Sequence, residues 1–157
     1  MADVYGTYQI FDAAKDLIVA AMNTLKTAMA SGYDPTFSYV YSHHCPAELR
    51  LNAVSVDFDG SERAPHGSYG QAPTYIYLMQ FSIRVHTNYQ NQFNDNEKNT
   101  RLLNSIDNYL STHLDLGSDY RIREISEYNA RQVWSDSATV GGELTVTVQK
   151  VIDHTQA

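Results

Sequence analysis

His43, His44 and Cys45 stand side by side in the segment SHHCPAE and carry three groups that could ligate a metal or attack a substrate. A zinc site draws its ligands from separated pairs, because spaced residues can converge on one ion. On an extended segment, neighbouring side chains point to opposite faces. These three therefore do not readily grip one ion, and no partner pair follows them. Cys45 as a nucleophile needs a base at hand and an electropositive setting. His44 is adjacent, but Pro46 follows and no nucleophile signature surrounds the pair. Cys45 reads as a buried or half-buried bystander. The run Asp57 to Glu62, DFDGSE, is acidic in the manner of a calcium loop. An EF-hand requires Glu at its twelfth position, and counted from Asp57 that position is Ser68. Asp59-Gly60 after alternating apolar residues is instead a strand-to-turn signal. Glu124 with Glu127, and Asp115 with Asp119, are carboxylate pairs that any acidic chain offers. The phosphate-loop, dinucleotide, nucleophile-elbow and zinc-protease patterns are absent. No residue pattern supports a catalytic group, a metal site or a cofactor site. The expectation is a protein that is not an enzyme.

The elements that would position any site are clearer. Tyr75, Tyr77, Met79, Phe81, Ile83 and Val85 alternate through Thr74–Thr87, the period of a strand with one buried face. That run is fourteen residues long, where a strand usually has about five or six. On its other face Ile76 and Leu78 are apolar, whereas Gln80, Ser82, Arg84 and His86 are polar. The first half is expected to want cover on both sides, and the second to face water or a polar partner. Residues 9–30 have helical apolar spacing through Ile10, Ala14, Ile18, Met22, Leu25 and Met29, and Ser31-Gly32 and Pro35 follow as stop signals. A second helix is expected from a cap at Asn94 or Asp95, through Leu102, Leu103, Ile106 and Leu110, to a stop at Gly117.

Short β-prone runs complete the pattern. Phe37–Tyr41 is one. Leu49 and Leu51 alternate in one phase and Val54, Val56 and Phe58 in the other, so a bulge or break is expected near Asn52-Ala53. Ile122 and Ile125 are out of phase within 120–128, which again predicts a bulge. Residues 131–135 read as a short extended piece, Gly141-Gly142 as a turn, and Leu144, Val146 and Val148 as a final strand. Residues 59–73, with three glycines and two prolines, read as a projecting loop between two strands, and 153–157 as a fraying tail. The expectation is a single domain over 1–157. Its class is α+β, with two main helices packed on one face of a mostly antiparallel or mixed sheet.

Composition restricts the partners. Net charge is −7 with 43% apolar residues, which fits a folded domain and argues against affinity for the outside of a nucleic acid. The single cysteine, Cys45, makes no intramolecular disulfide and points to folding under reducing conditions. The segment MADVYGTYQIFDAAKD has no basic region before an apolar core, so no secretory leader is expected. No apolar run reaches the ~20 residues of a membrane span, so no membrane is expected among the partners. The twelve tyrosines suit exposed strands and protein interfaces.

The series YLMQFSIRVHTNYQNQ, NTRLLNSIDNYL and YNARQVWSDSATVGGELTVTVQKV resembles the tail terminator and tail-completion proteins of long-tailed bacteriophages. The likeness covers residues 74–152 in type and order of elements, and the first helix with its β-region fits the same small fold. It implies a structural virion protein, assembled in the host cytoplasm into a ring of identical subunits, commonly hexameric. That ring caps the tail tube, ends its polymerisation and offers a surface to the neck or head-completion protein. DNA would pass the lumen as cargo only, and an acidic subunit would help keep that channel non-adhesive. A head-completion or neck adaptor, or a tube-like subunit, is the nearest alternative. An enzyme or binding module without signature is the other.

Under that reading Arg63, His66, Tyr69 and Gln71 of the 59–73 loop are placed against another ring. Arg84 and Arg101 are expected to pair with acids of a neighbouring subunit, and Tyr75, Tyr77 and Trp134 to act as apolar anchors. For each aromatic, ordinary sheet packing competes with the anchor role.

Overall fold

A computed structural model of the chain describes residues 6–29, 37–42, 53–65, 74–88, 92–133 and 139–153. Helix α1 spans Gly6–Met29, followed by strands β1 (Tyr39–Tyr41), β2 (Ala53–Pro65) and β3 (Thr74–Asn88). Helix α2 (Gln92–Thr112) leads into β4 (Asp115–Gly117), β5 (Tyr120–Val133) and β6 (Thr139–Asp153). The fold is therefore α+β: two helices and one six-stranded mixed sheet, curled into a half-barrel, in the order β1-β2-β3-β6-β5-β4. β1 pairs with β2 in parallel and every other neighbour pair is antiparallel. Each half of the chain runs helix, short strand, long strand, long strand. The halves meet where β3 lies against β6.

Register explains the alternation. Val56, Ile83 and Leu144 lie abreast, as do Phe58, Phe81, Val146 and Ile125, and then Met79, Val148 and Ile122. These rows form the face on which both helices pack, and Met79, Phe81, Ile83, Val146 and Val148 are fully buried there. α1 contributes Ala14, Ile18, Met22, Leu25 and Met29, one per turn along a single stripe. Its polar side chains fold back on the helix: Thr24 donates to Ala20 O (3.0 Å) and Thr27 to Asn23 O (3.1 Å). α2 closes the core with Leu102, Leu103, Ile106 and Leu110. Removing any such fully buried aliphatic or aromatic side chain from water contributes roughly 1.5–3 kcal/mol.

Several boundaries differ from those expected. β2 continues through Pro65, so residues 59–65, expected in the projecting loop, are strand paired with β3 down to Pro65 opposite Tyr75. The turn chemistry is absorbed by a bulge between Phe58 and Gly60, where Gly60 takes φ +143°. Residues 66–73 lie outside the described residues, as do 154–157 of the expected tail. Gly141 and Gly142 are not a turn but extended residues of β6, opposite His86 and Val85. The short piece expected at 131–135 is, as far as Val133, the end of β5. The out-of-phase Ile122 and Ile125 are reconciled, as expected, by a bulge at Ile122/Glu124.

α2 begins before Asn94 and Asp95 and ends at Thr112, ahead of Gly117. His113 finishes it: its ring stacks on Tyr109 at 4.1 Å and its Nδ1 lies 2.8 Å from Tyr109 O. Gly117, at φ +91°, instead opens the two-residue hairpin Ser118-Asp119, whose φ values of 54° and 66° suit the right-handed twist of the flanking strands. The bulge or break expected near Asn52-Ala53 falls where β2 starts, and Leu49, Leu51 and Asn52 lie outside the described residues.

Candidate interface surface

The second face of the sheet is the more polar one, and it is not uniformly exposed: Ala53, Ser55, Ser82 and His86 are buried at its polar end. No described helix or strand packs across it, and its rows follow from the same register. From one end they read Ile76 with Val151; Glu62, Leu78, Gln149 and Arg121; Gly60, Gln80, Thr147 and Glu124; Asp57, Ser82, Thr145 and Ser126; then Ser55, Arg84, Glu143 and Asn129. His86 with Gly141 ends the series. The surface passes from apolar to polar along the strands, as the alternation of β3 predicts.

The polar end is closed by its own partners. Arg84 Nη1 donates to Asp57 Oδ2 at 3.0 Å, and Arg84 Nε donates to Glu143 Oε2 at 3.0 Å. The guanidinium thus joins carboxylates from both neighbouring strands. The three side chains are only 24%, 18% and 26% exposed, which shields the pairs from part of the solvent screening that weakens exposed ones. The Ser82 hydroxyl lies between Asp59 and Glu143, donating to Asp59 and standing 3.3 Å from Glu143 Oε1. One row further, buried Ser55 and His86 meet through Oγ and Nε2 at 3.1 Å. Arg84 and Ser82 each bridge β2 and β6, which ties the three strands together through side chains at this end.

Toward the apolar end the four long strands curl around a cleft of about 420 Å³. Leu78, Gln80 and Thr147 form its floor, Gly60–Glu62 one wall, and Arg123 with Glu124 the other. At the β4–β5 end a second groove of about 450 Å³ lies among Asp115, Asp119, Tyr120, Arg121, Gln149 and Val151. Beside it, Tyr120 is buried and donates to Ile10 O of α1 at 3.1 Å. Lys150 Nζ lies 4.6 Å from the Tyr120 ring centroid and donates to Ser118 O at 2.5 Å. Burial pushes the Tyr120 phenol above its ordinary value of 10.0.

The residues singled out by sequence are not brought to one place. Arg84 has its acids in its own chain, on β2 and β6, rather than waiting for a neighbour's. Tyr77 is core: it is buried and meets the Phe11 ring edge-on at 6.2 Å. Tyr75 is half-buried, with the guanidinium of exposed Arg63 4.2 Å from its ring centroid, a cation–π contact at the sheet's rim. Arg101 is exposed on α2, the helix that packs on the face opposite Arg84. His66, Tyr69, Gln71 and Trp134 lie outside the described residues, as do His43, His44 and Cys45. Among the described residues, no group of three or more His, Cys, Asp or Glu is arranged to hold a metal ion. No described helix is long and apolar enough to cross a membrane.

The sequence matches no protein-family model and no curated protein. The surface therefore has to be read on its own chemistry. Sequence reasoning passed over Glu143 and Ser55 beside Arg84 and His86, and Arg123 at the cleft; Ser82 was read only as a polar-face residue, and Asp57 and Glu62 only as part of an acidic run. A signal was present. Ser55 and Asp57 alternate with buried Val54 and Val56, so they share a face with the polar residues of β3 once β2 and β3 are paired.

Proposed function

We propose that this chain is a structural virion protein of a long-tailed phage, a tail terminator that assembles as a ring on the end of the tail tube. Its role is mechanical rather than catalytic: it halts tube growth and presents a docking surface to the neck or head-completion protein. DNA passes through the lumen without being held. The observation that carries this reading is the two-faced sheet. One face holds both helices and the strand residues of the main apolar cluster. The other, built from four long strands, has no described helix upon it and is stiffened by the Asp57–Arg84–Glu143 and Ser55–His86 contacts. A preorganised polar surface of this kind favours stacking against another protein layer, since little ordering cost remains to be met on contact. The element order and the TVGGELTVTVQKV strand support the same assignment, and assembly in the host cytoplasm and residence in the virion go with it.

The test is genetic and visual. A nonsense mutation in the coding sequence should yield, by negative-stain microscopy of infected cells, filled heads without tails together with tail tubes of uncontrolled length. Joined particles with tails of normal length would overturn the assignment.

A further inference from the structure

The charged side chains of the second face fall into two sets. At its polar end Arg84, Asp57 and Glu143 are engaged with one another, and Asp59 accepts from Ser82. In the cleft, the side chains of Glu62, Gln80, Arg123 and Glu124 have no hydrogen-bond or ion-pair partner among the described residues. Register shows why these groups converge. β2 has a bulge between Phe58 and Gly60, and β5 has one between Ile122 and Glu124. Both stand at the same row, that of Gly60, Gln80, Thr147 and Glu124. Each bulge inserts a residue without a ladder partner, Asp59 on one strand and Arg123 on the other. A bulge bends its strand and re-aims a side chain, which is why bulges recur next to active sites. Here the two flank the floor of Leu78, Gln80 and Thr147 and bring Arg123 to it.

The groups in the cleft have a preference in charge. Glu62 on one wall and Glu124 on the other are exposed carboxylates, set against the single guanidinium of Arg123. The cleft is thus net acidic and suits a cation. Gln80 and Thr147 add an amide and a hydroxyl, which both donate and accept, and Leu78 adds apolar contact. That set matches a polypeptide main chain better than a bare ion. Four strands about 4.8 Å apart make a floor about 14 Å wide, the reach of roughly four extended residues. A Cβ added at Gly60 would meet nothing within 4 Å, so the β2 wall leaves room for a backbone to approach. Resting on the docking role proposed above, we infer that this cleft binds an extended segment of a partner protein carrying one arginine or lysine. The cationic head is held by Glu62 and Glu124, and the segment's backbone lies over Gln80 and Thr147. Arg123 is then the one group in the cleft that opposes the ligand.

The probe is a blocked heptapeptide of alternating threonine and valine with arginine at its centre, titrated into the isotope-labelled full chain. Amide shifts of Gly60, Gln80 and Thr147 report the cleft by NMR, and their course gives the affinity. Citrulline in place of the arginine keeps the shape, removes the charge and abolishes the shifts. Glu62→Gln and Glu124→Gln each weaken binding about three- to fivefold, the effect of one solvent-exposed ion pair. Arg123→Gln strengthens it, because the competing cation is gone. Asp16→Asn, at an exposed acid on α1 across the sheet, leaves it unchanged. All four positions are exposed, so the amide spectrum away from the cleft stays as in the wild type. No cleft shifts at millimolar peptide, or equal binding of the citrulline peptide, overturns the assignment. Weaker binding by Arg123→Gln overturns it in favour of an anion. A loss with Asp16→Asn equal to that with Glu62→Gln overturns it in favour of net charge alone. Each of these leaves the ring reading standing. Joined particles with normal tails from the nonsense mutant remove the ring reading instead, and the titration is read without them.

Discussion

Arg84 offers the most direct quantitative test of the more polar face. Replacing it by Met keeps an unbranched apolar stem and removes the charged guanidinium. Two charge-assisted hydrogen bonds disappear, both at 3.0 Å, and Asp57 and Glu143 are left on either side of an uncharged residue. A buried bond of this type contributes about 1.5–3 kcal/mol. With roughly a quarter of each side chain in contact with solvent, screening reduces each to about 1 kcal/mol. The loss of counter-charge between two half-buried carboxylates adds a similar amount. The expected cost is ~2–3 kcal/mol, and at about 2–4 °C per kcal/mol for a chain of this size, the melting temperature falls by ~4–12 °C. A double-mutant cycle with Asp57→Asn and Glu143→Gln separates the two arms, and each should show a coupling energy of about 0.5–1 kcal/mol. Thermal melting by circular dichroism reads all of this on the isolated protein. A melting temperature within about 1 °C of wild type, or additive cycles, would refute the claim that Arg84 serves its own fold. The residue would then be available to a neighbouring subunit, as its sequence context first suggests.

Two further outcomes follow from the β4–β5 end of the sheet. Gly117→Ala meets no neighbour within 4 Å, so its effect comes only from the backbone at φ +91°; a loss of about 1–2 kcal/mol is expected by denaturant titration, with the fold retained. Tyr120→Phe removes the bond to Ile10 O and should cost about 1 kcal/mol at neutral pH. Because burial raises the folded-state pKa of this phenol, its neutral form stabilises the native state fully below the unfolded value, and that stability is lost as pH rises through the folded one. The gap between wild type and Tyr120→Phe should therefore narrow above pH ~10, as melting curves across the alkaline range would show.

The strongest alternations were legible. Tyr77, Met79, Phe81, Ile83 and Val85 on β3 and Leu144, Val146 and Val148 on β6 are buried as their period predicts, whereas the burial of Ser82 and His86 on the other face of β3 is not legible from the alternation. The α1 stripe and the β5 bulge were legible for the same reason, since apolar phase and its interruption are local. What composition misread were the glycines. Gly60, Gly141 and Gly142 resemble loop residues in isolation, but pairing across β3 makes one a bulge and the other two strand. The extent of β2 depends on how far β3 can template it, which no window centred on DGSERAP reveals. The partners of Arg84 come from strands far away in the chain, so their identity is a property of register rather than of neighbourhood.

The seam between β3 and β6 has a kinetic consequence. It sets the start of β3 against the end of β6, Thr74 opposite Asp153. β2 with β3, and β5 with β6, are joined by short connections and can zip locally. The seam must wait for nearly the whole chain, and non-local pairing of this kind slows folding because the loop-closure cost precedes the contacts that reward it. During synthesis the first half emerges with the inner edge of β3 bare, and it stays bare until the last strand arrives. The central sheet, which is the most buried part of the finished molecule, is thus the part exposed longest to wrong partners while the molecule is being made.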